Sequence, residues 1–254
     1  MLNDKRHPDS MSIKLAITAL GVAVTVGALP AWAVAQSGGK DKLLSAFALP
    51  SQVLVERTVD GSSFLQDMND AVKAMKAYSF TYETTVYKGN KTIVQAGQFY
   101  FKQPRLLRVE MTGPYKKGAV AVMNKDGKVR GHLGGMLSGV TLTLSPDSDQ
   151  LLGANGYPMT DSDFAGMLNV MKRFQQQGCK VKVSDSPVAV EGQTGKVYVL
   201  EFFQADQLYK RAYIDPKTLL PVEWFDYQKG QLFARTVWNN VKLDQNIADA
   251  MFQI

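Results

Sequence analysis

The sequence predicts a mainly antiparallel α+β fold: a strongly curved β-sheet of about ten strands that is covered by helices. Three observations lead to this prediction. Strand-like runs joined by short turns fill most of residues 78–243. Only two segments have the periodicity of a helix. Strands and helices do not alternate, so a parallel sheet is not expected. Many short antiparallel strands need closure or a cover to protect their edges.

Composition and charge describe an ordinary globular protein. The chain has 254 residues, of which 45% are hydrophobic and 20% charged, and a formal net charge of +6. Its basic residues are dispersed, and no basic run after the first residues is longer than a pair such as Lys116-Lys117. This spread favours a solvated basic surface, and nucleic acid is not an expected partner. Peripheral contact with anionic lipid headgroups is the alternative.

Residues 1–35 have the pattern of a secretory signal peptide. Lys14 precedes an apolar core, Pro30 ends it, and small residues at 31–33 and 33–35 are typical of a cleavage site. We expect cleavage after Ala33 or Ala35, with either Met1 or Met11 as the translation start. No cysteine directly follows the cleavage site, so an unlipidated, soluble exported protein is predicted. Residues 36–60 are a mixed lead-in of doubtful order, and residues 61–254 form one predicted domain.

The first half of this domain begins with a helix from residue 63, capped by Ser62 or Ser63. A strand over residues 78–87 follows, with Phe80 and Tyr82 on the same face. Residues 88–91 and 126–127 are expected hairpin turns. The other strands predicted here cover residues 92–101, 105–111, 118–124, 128–133 and 140–144.

A second helix is predicted over residues 160–177. Thr160 or Asp161 is its expected N-cap and Gly178 its expected end. Its apolar stripe consists of Phe164, Met167, Leu168, Met171 and Phe174. The remaining strands are predicted over residues 179–183, 197–203, 207–214, 222–227 and 232–243, and the last of these is expected to close the sheet.

The residue inventory argues against an enzyme. The chain has two histidines, His7 and His132, and one cysteine, Cys179. An internal disulfide and Cys/His zinc spacings are therefore impossible. A His132–Cys179 catalytic pair would need the fold to join them, and nothing local supports it. We predict no catalytic, cofactor or metal site, and we expect Cys179 to be structurally silent.

Several motifs, taken in order, resemble the LolA/LolB superfamily of outer-membrane lipoprotein-sorting proteins. The similarity runs from about Phe64 to the C-terminus, and it is greatest to an uncharacterised periplasmic branch known as a domain of unknown function. The motifs are the segment 64–86, Gly97-Gln-Phe-Tyr-Phe-Lys-Gln-Pro-Arg-Leu-Leu-Arg-Val-Glu-Met111, Gly131-His-Leu-Gly-Gly135, Gly156-Tyr-Pro-Met-Thr160, and Ile214-Asp-Pro-Lys-Thr-Leu-Leu-Pro-Val-Glu-Trp224 followed by Gly230 and Asn240.

This resemblance implies an incomplete β-barrel, or half-barrel, whose concave face is covered by helices and holds an apolar cavity. In the sorting proteins such a cavity takes acyl chains. In the periplasmic carrier of the superfamily, the residue before the proline that corresponds to Pro104 is an arginine, which is linked to closing the helical lid. Gln103 occupies that position here, so lid closure through this residue is not expected in the same form.

Flexible thioethers and broad aromatic rings suit an adaptable lipid pocket. The alternative for each residue is ordinary core packing. We predict that a ligand cavity is lined by residues of the concave side, namely Phe80, Tyr82, Phe99, Phe101, Met111, Phe164, Met167, Met171 and Trp224.

Three further features have plain structural interpretations. His132 lies in a glycine-rich segment without the GK[ST] signature of a phosphate loop, so it is expected to be a turn residue. The acids in segment 161–163 are expected to cap the second helix rather than to bind a cation. Lys116 and Lys117 are expected in a solvated loop, with anionic headgroups or a protein as the alternative contact.

The functional hypothesis is a non-enzymatic periplasmic protein that holds a lipid or acyl chain, as a carrier or as a sensor. The alternative is an envelope protein–protein interaction module whose half-barrel is filled by its own side chains. A hydrolase is the weakest hypothesis. The second helix is expected either to move as a lid, helped by Gly166 and two methionines, or to stay docked.

Overall fold

A computed structural model describes residues 57–254. The predicted signal segment and nearly all of the lead-in lie outside the described residues. Within the described part, 13 strands form one antiparallel sheet, and both α-helices belong to the core on one face of it. The sheet runs from edge strand β1 to edge strand β7, which do not pair within residues 57–254. The predicted curved, incomplete barrel is therefore confirmed.

The helices are α1 (Ser62–Ala74) and α2 (Phe164–Gln176). The strands are β1 (Thr58–Asp60), β2 (Ala77–Lys88), β3 (Lys91–Lys102), β4 (Leu106–Met111), β5 (Val120–Met123), β6 (Val129–His132), β7 (Leu142–Leu144), β8 (Lys180–Ser184), β9 (Val188–Ala189), β10 (Lys196–Gln204), β11 (Gln207–Ile214), β12 (Pro221–Gln228) and β13 (Gln231–Leu243).

The spatial order of the strands is β1-β8-β10-β11-β12-β13-β2-β3-β4-β5-β6-β7, and β9 pairs with β10. Two short strands, β1 and β9, had no pattern long enough to predict them. β1 uses the last residues of the predicted lead-in and pairs with β8. The expectation that β13 closes the sheet was wrong. β13 lies between β12 and β2, because its length lets it pair on both sides and join the two halves.

Both helix starts differ from the predictions. The N-cap of α1 is Gly61, which has no side-chain cap, and a Cβ at Gly61 would lie 2.7 Å from the side chain of Val181. The N-cap of α2 is Asp163, whose carboxylate accepts the Gly166 N–H at 2.9 Å. The end of α2 agrees with the prediction, since Gly178 adopts φ +88° just after it.

The main core lies on the concave face, between the sheet and both helices. Even-numbered residues of β2 and odd-numbered residues of β3 and β4 point into it, as the alternation predicts. Phe164 of α2 contacts Tyr78 and Phe80, with ring centroids 4.8 and 5.2 Å apart. Large side chains buried in this core include Leu65, Met68, Phe99, Leu107, Met171, Leu200 and Phe202.

Two smaller clusters cover the convex face. One packs Val190, from the segment between β8 and β10, on Val199, Tyr213 and Phe225. The other packs Ile247 and Phe252, from the C-terminal segment, on Ala77, Leu106 and Val122. From the sequence, only the concave face was predicted to be covered.

Candidate functional site

The candidate site is a cavity between the concave face and the loop that joins β7 to α2, residues 145–163. It consists of two adjoining pockets of about 80 and 100 Å³, each partly open to solvent. Tyr82, Gln95 and Val109 line both pockets. The other side chains of the first pocket come from the sheet, from α2 and from the loop, namely Phe80, Thr84, Phe99, Met167, Val170, Trp224, Thr236 and Trp238, with Asn155, Tyr157, Asp161 and Ser162 of the loop. Those of the second include Met111, Ala121, Val129, His132, Leu133, Leu142, Leu144 and Leu151.

The β7–α2 loop is held on the sheet by both polar and apolar contacts. The Gln95 side-chain oxygen accepts the Ala154 N–H at 2.6 Å. The Lys116 ammonium donates to the carbonyl oxygens of Gln150 and Leu152 at 2.9 and 3.1 Å. Met159 is buried in the main core, and the two pockets remain between the loop and the sheet.

Tyr82 stands at the junction of the two pockets. Its hydroxyl accepts a hydrogen bond from the Gln95 amide at 3.1 Å and lies 3.3 Å from the Met111 sulfur. A Cβ at Gly97 would lie 2.9 Å from the Tyr82 ring, so the absence of a side chain at Gly97 leaves room for this ring. Burial raises the pKa of Tyr82. The hydroxyl therefore stays neutral, as an apolar pocket requires.

A buried ion pair lies beside the first pocket. Lys210 of β11 contacts Asp226 of β12, and both side chains are almost inaccessible. Asp226 also accepts from the Trp224 indole at 2.8 Å and the Tyr157 hydroxyl at 3.2 Å. The Lys210 ammonium is 2.6 Å from the Tyr157 oxygen and 4.9 Å from the Phe174 ring centroid. The pair thus joins the sheet to the loop and to α2.

The structure places all nine predicted cavity residues in or against the main core. Five line the first pocket, namely Phe80, Tyr82, Phe99, Met167 and Trp224. Tyr82 also lines the second pocket, together with Met111. The other three line neither pocket and are core residues, namely Phe101 of β3 and Phe164 and Met171 of α2.

Sequence reasoning missed several lining residues. Thr84, Thr236 and Trp238 have the strand parity that points inward, and Thr84 and Thr236 hydrogen-bond across the strands at 2.9 Å. Alternation along β13 could have identified Trp238. Tyr157 lies inside the quoted motif 156–160, but its role depends on contact with Asp226, 69 residues away.

The other singled-out residues have local roles. His132 ends β6 rather than occupying a turn, and its Nδ1 is 3.4 Å from the Leu133 oxygen. Asp163 caps α2 as expected of segment 161–163, whereas Asp161 pairs with Arg173 at 2.6 Å. Cys179 is buried beside β8, and that burial raises the pKa of its thiol.

Gln103 serves the end of α1. Its amide donates to the carbonyl oxygens of Lys73 and Met75 at 3.3 and 3.0 Å. Arg105 reaches the β7–α2 loop instead, with its guanidinium 2.9 Å from the Thr160 oxygen. Gln103 thus supports a helix end and makes no such contact with the loop.

The start of α2 is closely fitted. Tyr78 accepts the Phe164 N–H at 3.0 Å, and burial raises the pKa values of both Tyr78 and Asp163. A Cβ at Gly166 would lie 2.4 Å from the Thr160 oxygen. The glycine therefore allows close packing, which is a different reason from the looseness expected of it.

No group of three His, Cys, Asp or Glu side chains in residues 57–254 could hold a metal ion. None of the helices in the same range is long and apolar enough to cross a membrane.

Comparison with known proteins gives similar folds. No protein-family profile and no curated protein matches the chain. Similar solved structures include a LolA superfamily protein from Nitrosomonas europaea, as the sequence resemblance predicted, at 12% identity and a TM-score of 0.44, over 77% of this chain and 98% of that one. A DUF1329 family protein from Desulfovibrio piger has 14% identity and a TM-score of 0.40, with the same coverage. The MucB protein in the Pseudomonas aeruginosa MucA/MucB complex has 16% identity and a TM-score of 0.41, over 77% and 61%. At these identities the similarity concerns the fold alone.

Proposed function

We propose that this protein is a non-enzymatic binding protein of the bacterial periplasm that holds a lipid or acyl chain in its concave cavity. The observation that carries this proposal is the pair of joined pockets beneath the β7–α2 loop. Export rests on the signal pattern of residues 1–35. Whether the protein carries the lipid, for instance in lipoprotein localisation, or senses it is the finer part of the same proposal.

The lining of the pockets suits an apolar chain. Their volumes of about 80 and 100 Å³ are below the usual range of small-molecule sites, so a bound chain would have to widen the cavity, as outward movement of α2 would do. Aromatic, aliphatic and methionine side chains form most of the walls, and each buried methylene contributes roughly 0.8 kcal/mol. Such a chain needs no charged partner to be held.

Filling one pocket provides a direct test. Ala121 of β5 lines the second pocket and is only half-buried at the border of the main core, so the side chain in Ala121→Trp would occupy the pocket space. The matched control is Ala189→Trp, since Ala189 is an exposed strand residue outside both pockets. We expect Ala121→Trp to lose binding of a fluorescent fatty acid and the control to keep it. Equal binding by both variants would contradict the proposal.

The alternative function is an envelope interaction module with a self-filled half-barrel. Its support is that Phe101, Phe164 and Met171 already fill the part of the concave face beneath the helices. Native mass spectrometry after gentle purification separates the two functions. A bound lipid mass supports the carrier or sensor, whereas a clean protein mass favours the module.

The lid remains a proposal too. Met167 and Val170 of α2 form one wall of the first pocket, so outward movement of α2 would widen it. The same helix is docked by Phe164 and Met171. An engineered disulfide between α2 and the strand beneath it should stop fatty-acid uptake until it is reduced. Unchanged uptake would mean that α2 is a permanent part of the core.

A further inference from the structure

The loop between β6 and β7, residues 133–141, exposes three large apolar side chains. The side chain of Met136 is fully exposed, and Val140 and Leu133 are 53% and 42% exposed. The other large hydrophobic residues exposed among residues 57–254 are Val59, Met251 and Ile254. Half of these residues therefore cluster in one nine-residue loop, and such clusters mark contact surfaces.

Close backbone packing holds this loop beside two lysines. A Cβ at Gly134 would lie 1.7 Å from the Lys117 oxygen, and one at Gly131 would lie 2.3 Å from the Val120 oxygen. Only glycine permits these approaches. The glycines of the quoted motif 131–135 thus fix the apolar loop against the turn between β4 and β5, which carries exposed Lys116 and Lys117.

The turn, residues 112–119, and the loop, residues 133–141, contain two lysines and no acidic residue. The Lys116 ammonium also donates to two carbonyl oxygens of the β7–α2 loop, where Asp147 and Asp149 are exposed. An apolar tip next to lysines complements the boundary between acyl chains and anionic headgroups.

The size of the surface separates a bilayer from a protein partner. Three side chains on a short glycine-rich loop offer a contact area far smaller than the roughly 800 Å² that each partner buries in a stable protein interface. A bilayer does not need a surface of complementary shape, because acyl chains rearrange around an inserted side chain. The occupant favoured by these observations is a lipid surface.

We propose that the β6–β7 loop is a membrane-docking tip, which inserts Leu133, Met136 and Val140 into a bilayer while Lys116 and Lys117 contact anionic headgroups. His132 and Leu133 also line the second pocket. Docking would therefore turn the mouth of that pocket towards the lipid surface. The docking itself goes beyond the proposed function, since it does not require a ligand in the cavity.

Vesicle sedimentation tests this proposal. We expect the protein to bind vesicles of phosphatidylcholine mixed with phosphatidylglycerol more tightly than vesicles of phosphatidylcholine alone. Met136→Ser should weaken binding about fivefold, because one exposed apolar side chain no longer inserts. The matched control is Met251→Ser, an exposed methionine of the C-terminal segment, which packs near the opposite, Asn124–Gly127 end of β5 and β6. It should bind as the unaltered protein does.

Several outcomes would overturn the docking tip. They are no binding to the anionic vesicles, equal binding to both kinds of vesicle, or equal losses in the two methionine variants. Self-association that Met136→Ser abolishes, without vesicle binding, would assign the surface to a second copy of the chain. The variant Met136→Trp adds an independent reading, since its fluorescence should shift to the blue on anionic vesicles. Ala121→Trp should still bind vesicles, so failure of docking and failure of the cavity are distinguishable.

Discussion

The concave face has two parts that are covered in different ways, one by the helices and the other by the β7–α2 loop. Beneath the helices, Phe164 and Met171 meet Tyr78 and Phe101 in a filled core. Beneath the β7–α2 loop, the same strands leave two pockets. The helix α2 contributes a continuous apolar stripe, whereas the loop contributes a few apolar side chains, such as Met159, together with backbone groups that need hydrogen-bond partners. The kind of cover therefore decides whether the sheet's inward side chains form a core or a binding site.

The largest expected effect is at the buried ion pair, which touches both kinds of cover. Asp226→Leu would leave the Lys210 ammonium buried without its carboxylate, and we expect a loss of about 3–5 kcal/mol in unfolding free energy. Urea denaturation measures this loss. The double variant Lys210→Met/Asp226→Leu should recover part of it, because no unpaired charge remains. No recovery would show that the contacts of Tyr157 and Trp224 with Asp226 matter more than the charge.

A matched pair of methionines tests the comparison itself. Met171 is completely buried beneath the helices, whereas Met111 is half-buried at the second pocket. We expect Met171→Ala to cost about 3 kcal/mol of unfolding free energy and Met111→Ala at most about 1 kcal/mol. Fatty-acid affinity should show the reverse order of sensitivity. Equal stability losses would mean that the pocket is packed as tightly as the core.

The cap of α2 provides a pH-dependent test on the helix side. Burial raises the pKa of Asp163 above its ordinary value of 3.8, so the folded state keeps its proton where the unfolded state has lost it. Stability from this group therefore falls as the pH rises from about 3.8 through the raised pKa. Asp163→Asn keeps a capping oxygen, whereas Asp163→Ala should lose about 1 kcal/mol.

The measurement is the difference in unfolding free energy between Asp163→Asn and the unaltered protein across acidic pH. We expect the difference to move in favour of the variant as the pH rises. A constant difference would show that this carboxyl is not perturbed.

The smallest expected effect concerns the polar contacts between the helices. The Gln175 amide donates to the Ser62 hydroxyl at 2.7 Å, whereas Gln176 is exposed. Gln175→Ala should cost about 0.5–1 kcal/mol and, if α2 gates the cavity, should speed fatty-acid uptake without changing the amount bound. Gln176→Ala is the control. Identical uptake rates in stopped-flow fluorescence would favour a permanently docked helix.

Local sequence patterns were enough to predict most of the elements and their inward faces. Alternation along β2, β3 and β12 placed Phe80, Phe99 and Trp224 on the concave side, because strand side chains alternate with a period of two. Turn residues such as Gly89-Asn90 located the hairpins. These signals are local, so they can be recognised without knowing which strands are neighbours.

Only the tertiary structure decided which inward side chains line a cavity. Phe101 has the same strand parity as the lining residues, and Phe164 and Met171 belong to the same apolar stripe of α2 as Met167. They are core because α2 is docked on this part of the sheet. Contacts also join residues that are as many as 69 positions apart, namely Tyr157, Lys210 and Asp226, and local periodicity cannot predict such contacts. The physical reason is that burial depends on what covers a face, and the cover comes from distant parts of the chain.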